Sequence, residues 1–111
     1  MISESKNVNG IQVVVIDGSM DVHTTPDFLE HVNGVLDQGI VNIIIDLKNV
    51  SFISSYGLGS LATILRNVNA KDGSIRIAGL SDSMKTPFEI TGLYDKFQQF
   101  ENADDALKSF T

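Results

Sequence analysis

The run "IVNIIIDL", Ile40 to Leu47, is apolar almost without interruption and has the length of a strand. A strand with one wet face alternates apolar and polar side chains. A continuous run suits a central strand covered on both faces. Such a strand belongs in a largely parallel sheet with helices packed against it.

The flanking chain supplies those parts. Asn9-Gly10 is a strong hairpin turn signal. It divides a first strand, Ile2 to Val8, from "IQVVVID", Ile11 to Asp17, whose β-branched run favours a strand. "GSMDVHTT" reads as a loop. Thr25 can cap a helix, with Pro26 at its first position, where the missing N–H is harmless. Phe28, Leu29, Val32, Val35 and Leu36 make its apolar stripe, and Gly39 stops it.

After the long apolar run, "KNVSFI" carries the chain across to a second helix. There Leu58, Leu61, Ala62, Leu65 and Val68 fall at helical spacing, and "KDG" at 71–73 ends the pattern. "SIRIAG" alternates as a strand. Ser81 can cap a third helix, whose bounds Pro87 blurs. "DKFQQF" is a short strand candidate. Asn102 caps a last helix, with acids in its first turn and Lys108 near its end. The order is β-β-α-β-α-β-α-β-α, which predicts a small α/β sandwich: one domain over 1–111, a mainly parallel sheet and about four helices.

Charge and composition narrow the partners. The net charge is −6 and only 8 scattered Lys and Arg are present, which argues against nucleic acid or an anionic membrane as the main partner. There is no cysteine, so disulfides and thiol chemistry are absent. The start "MISESKNVNG" lacks the layout of a secretory signal. No apolar run approaches the roughly 20 residues that span a bilayer. A cytoplasmic location is the expectation.

Catalytic patterns are missing too. There is no phosphate-loop lysine, no HExxH and no Cys/His metal spacing, so no cofactor or metal is expected. His23 and His31 read as loop or surface imidazoles. No histidine follows the paired serines, which excludes a Ser–Asp–His order. "GLGSLA", 57–62, matches G-x-G-x-x-A, a dinucleotide fingerprint. That fingerprint wants a strand directly before it and an acid closing the next strand. Here the long strand ends near Leu47 and the next one closes on Ala78-Gly79. Asp17 with Asp21, and Asp104 with Asp105, read as turn and cap acids.

What is left is "SFISSYGLGSL", Ser51 to Leu61. Two serines stand at the mouth of a helix, followed at once by two glycines, which are poor helix formers. A helix start offers free N–H groups and the positive end of the dipole. A phosphate on Ser54 or Ser55 would be held there and would add about −1.5 to −2 charges. Gly57 and Gly59 would keep the turn bare for a partner's backbone. The plainer alternative makes the serines simple caps and the glycines packing residues.

Three stretches carry a resemblance. They are "DGSMDVHTTPDF" (17–28), "IIIDLKNVSFISSYGLGSL" (43–61) and "MKTPFEITGLYDKF" (84–97). Together they resemble STAS domains of the bacterial anti-sigma-factor antagonist type, over essentially the whole chain. Gly18, Met20 and Asp21 match the family's first loop, with Ser19 in place of its usual acid. In the second stretch Ser54 stands where the family has Asp, and Tyr56 where it has a small Ser or Thr.

The resemblance implies a binding module without catalysis of its own, regulating transcription or another partner-switch output. Its partner would be an anti-sigma factor with an ATPase-like kinase fold. That partner binds the unphosphorylated protein and phosphorylates Ser55, with Ser54 as a rival acceptor; a serine phosphatase reverses the step. The binding face would comprise Asp21, Thr24, Ser54, Ser55, Tyr56, Gly57 and Leu58. A constitutive STAS scaffold, or a small-ligand or nucleotide-binding STAS domain, is the alternative.

Overall fold

The structure, a computed structural model, describes residues 2–111. Five strands form one sheet in the order β1-β2-β3-β4-β5. They are β1 (Ile2–Val8), β2 (Ile11–Met20), β3 (Asn42–Ile53), β4 (Ser74–Ala78) and β5 (Gln98–Phe100). The first pair is antiparallel through the Asn9-Gly10 turn, where both residues have positive φ. All later pairs are parallel. The helices are α1 (Thr25–Asp37), α2 (Ser55–Ala70), α3 (Asp82–Ile90) and α4 (Ala103–Lys108).

Alternation along the strands explains why both parities are apolar. Val14, Ile16, Ile43, Ile45 and Leu47 enter the large core beneath α1, α2 and α3. Ile11, Val13 and Ile44 point the other way, into a smaller core with Ala78 and Ala106 of α4. Each fully buried Ile or Leu contributes about 1.5–3 kcal/mol. The run at 40–47 therefore has two covers, as its sequence requires. On the large-core side Phe88 of α3 meets Phe97 edge to face, at 6.4 Å between ring centres.

Several boundaries differ from the sequence expectation. "GSM" is strand rather than loop, and "KNVSFI" is the end of β3 rather than a crossing. The two segments lengthen together: Gly18 pairs with Val50 past one register shift, and Ser19 with Phe52 and Met20 with Ile53 past a second. The strand-breaking glycine is tolerated because its φ of 85° falls at one of these irregularities. "DKFQQF" splits, Tyr94–Lys96 forming a 3₁₀ turn before β5.

Thr25 does not cap α1. It is the first helical residue, and its buried hydroxyl has no partner among the described residues. Ser81 precedes α3 without a side-chain cap bond. Pro87 lies inside α3; the carbonyl its missing N–H would have bonded belongs to the exposed Ser83, where water can serve it. Asn102 caps α4 as expected, its Oδ1 accepting from the Asp105 N–H at 2.8 Å.

Candidate functional site

Two helices start side by side at the carboxyl end of β2 and β3. The first follows "SMDVHT", which folds on itself. Asp21 Oδ1 accepts from the N–H groups of His23 (2.9 Å) and Thr24 (3.1 Å), and Ser19 donates its hydroxyl to Oδ2 at 3.2 Å. The Thr24 hydroxyl donates to the Ser19 carbonyl (2.7 Å) and accepts from the Asp21 N–H (3.0 Å). The Asp21 carbonyl takes the Thr25 N–H. These bonds hold the Asp21 carboxyl below its ordinary pKa, the His23 N–H chiefly and the Thr24 N–H next, against some desolvation. Asp21 is thus a turn acid in full use.

The second start is α2. Ser54 has extended backbone and caps the helix, its Oγ accepting from the Gly57 N–H at 3.2 Å. Its own N–H bonds the Met20 carbonyl at 2.9 Å, which ties α2 to the end of β2. Ser55 is the first helical residue. It is exposed, and its hydroxyl makes no hydrogen bond among the described residues. The N–H groups of Ser55 and Tyr56 point out of the first turn, and that turn contains no acid.

The other expected site residues divide. Tyr56 is exposed beside Ser55. Gly57 and Leu58 are buried and support the face from below. Leu58 enters the large core. A Cβ on Gly57 would sit 2.8 Å from the Met20 carbonyl oxygen. The bare Gly57 therefore serves this chain's own close approach to Met20. β3 does run up to the glycine turn, contrary to the expectation from Leu47, but no acid closes β4.

His23 is exposed in the loop, and His31 Nε2 lies 2.6 Å from Ser5 Oγ at the sheet edge. No cluster of metal-binding side chains occurs among the described residues. Among the described residues no helix is long and apolar enough to cross a membrane.

Three of the large apolar side chains exposed among the described residues gather at this end: Val22 (57% exposed), Phe52 (55%) and Tyr56 (48%). Val22 and Phe52 were not singled out in the sequence. No sequence signal marked Phe52, since alternation from Val50 would place it on the buried face; it is exposed just past the register shift between Gly18 and Ser19.

A free serine at a neutral helix start, with exposed apolar side chains around it, can accept a phosphate and can dock a protein. The family agrees with that surface. A model of the STAS domain matches residues 3–106, and the chain belongs to the STAS domain family. It is 38% identical over 82 residues to the anti-sigma-B factor antagonist of Staphylococcus aureus strain NCTC 8325 / PS 47, covering 74% of this chain and 76% of that protein. A crystal structure of an anti-sigma factor antagonist from Mycobacterium paratuberculosis is 26% identical with a TM-score of 0.85, covering 96% of this chain and 90% of its own. The Bacillus cell-fate determinant SpoIIAA in its phosphorylated form superposes with a TM-score of 0.80 at 21% identity, covering 97% and 98%.

Proposed function

We propose that the protein is an anti-sigma-factor antagonist, a regulatory binding module rather than an enzyme. In this reading it binds a kinase-type anti-sigma factor while unphosphorylated and is released when Ser55 is phosphorylated. The observation that carries the reading is the exposed, unbonded Ser55 hydroxyl at the first position of a long helix whose first turn is free of acids. Ser54 is the poorer acceptor, because its Oγ already caps the helix.

The chemistry is a phosphoryl transfer. Ser55 Oγ attacks the γ-phosphorus of the partner's ATP, ADP leaves, and the hydroxyl proton passes to a base of the partner. The product carries about two added negative charges beside Tyr56, Phe52 and Val22. The free N–H groups of Ser55 and Tyr56 and the helix dipole favour the anion locally. A partner that covers this surface must then desolvate a dianion, and binding is lost. A phosphatase that hydrolyses the ester restores the docking surface.

The test is a binding isotherm against the purified anti-sigma factor of the same organism, with wild type and Ser55→Asp in parallel. Binding by wild type and loss with Ser55→Asp supports the switch. Equal binding by both would leave a constitutive scaffold.

A further inference from the structure

Gly57 and Gly59 stand two residues apart in α2, yet only one is needed by the fold. A Cβ on Gly57 would collide with Met20, whereas a Cβ on Gly59 would meet nothing within 4 Å. Gly59 has ordinary helical backbone and no positive φ. An alanine there would strengthen the helix without a clash. The glycine weakens the free protein and returns nothing to it.

What it does is hold a groove open. Leu29 of α1 and Tyr56, Gly59, Ser60 and Thr63 of α2 line a depression of about 340 Å³ between the two helices. Ser60 and Thr63 turn their hydroxyls onto the carbonyls of Gly57 and Gly59, at 2.6 and 3.0 Å. Their polar groups are satisfied within α2, so the groove has little use for a polar guest. Lower down, Asn67 bonds Asn33 at 3.2 Å and joins the helices.

The charge on the two helices that form it leans negative: three carboxylates, Asp27, Glu30 and Asp37, against one cation, Arg66. α1 carries Asp27, Glu30 and Asp37 and neither Lys nor Arg. A second copy of this chain would bring the same negative field to the same place. A cationic protein surface would be drawn to it.

We infer that the α1–α2 groove, kept open by Gly59, receives an apolar side chain from a Lys/Arg-rich surface of the anti-sigma factor. This rests on the functional reading above and extends the docking face from Ser55 across to α1. Tyr56 borders both the groove and the phosphate acceptor, so one partner segment would feel both.

Calorimetric titration of the purified anti-sigma factor of the same organism tests it, using wild type, Gly59→Leu and Ser55→Asp, with the wild type also run at high salt. Thermal melts check folding; Gly59→Ala provides a second variant that should melt no lower than wild type. Gly59→Leu is expected to bind more than tenfold more weakly at an undiminished Tm, and wild-type affinity is expected to fall with salt. If Gly59→Leu binds as wild type does while Ser55→Asp fails, the groove is empty in the complex and the switch reading stands alone. Affinity indifferent to salt would overturn the cationic partner. A self-association of the wild type that Gly59→Leu abolishes would assign the groove to a second copy instead. If wild type binds no anti-sigma factor, the functional reading itself falls.

Discussion

The starts of α1 and α2 lie at the same end of the same two strands, and they are finished differently. Ahead of α1 an acid closes the turn: Asp21 takes the N–H groups of His23 and Thr24 and a serine hydroxyl, while the helix's own N-cap, Thr24, makes no side-chain cap bond. At α2 one neutral serine takes one N–H, and the next residue is left exposed and unbonded. A helix start with its own carboxylate has little room for a second anion. One without a carboxylate is prepared for it. The difference teaches where a modification can act: at the start with an exposed, unbonded hydroxyl and no carboxylate beside it, not at the one whose leading turn an acid already closes.

The largest effect should come from finishing the second start artificially. Ser55→Asp is expected to lower affinity for the anti-sigma factor by about 100-fold or more, as for a charge desolvated at an interface, while thermal stability hardly changes. Isotherms and melts on one preparation separate the two quantities.

Next is the tie between the two starts. Gly57→Ala puts a methyl group against the Met20 carbonyl and should destabilise the fold by about 1–3 kcal/mol, read by urea unfolding. Gly59→Ala should do no such damage, since nothing lies in its way.

Ser54→Ala removes the only side-chain cap of α2 and should cost about 1 kcal/mol. If the loss is nil, the N–H of Gly57 is served by water and the cap is decorative.

The smallest effect concerns Asp21. Its folded pKa lies below its ordinary 3.8, so its contribution is present above that value and fades as pH falls through the folded pKa. Melting curves should lose this increment only in the acid range. Asp21→Asn should flatten that part of the profile without changing the rest.

Much of the architecture was legible in the residues. The run at 40–47 demanded two covers, and Asn9-Gly10 and Gly39 marked turns by local chemistry, whereas the glycine of "KDG" is also required by Val41, which a Cβ there would strike. The carboxyl end of the sheet was less legible. Gly18 and the polar "KNVS" look like loops alone and become strand only because each offers the other its backbone. Thr25-Pro26 carries a capping signal, yet Asp21 bonds the preceding turn and shifts the start by one residue. The serines could be placed at a helix start from sequence. Which one was spent as the cap needed the Gly57 N–H to be located. The separate tasks of Gly57 and Gly59 were hidden for the same reason: what a glycine avoids lies elsewhere in the chain.

The central claim is that Ser55, not Ser54, is the group on which the partner acts. Incubating the protein with the anti-sigma factor and ATP, then mapping the phosphopeptide by tandem mass spectrometry, tests it most directly. The account predicts a single phosphate on Ser55 and none in a Ser55→Ala variant. A phosphate on Ser54, or no phosphate from a partner that nonetheless binds, would contradict it.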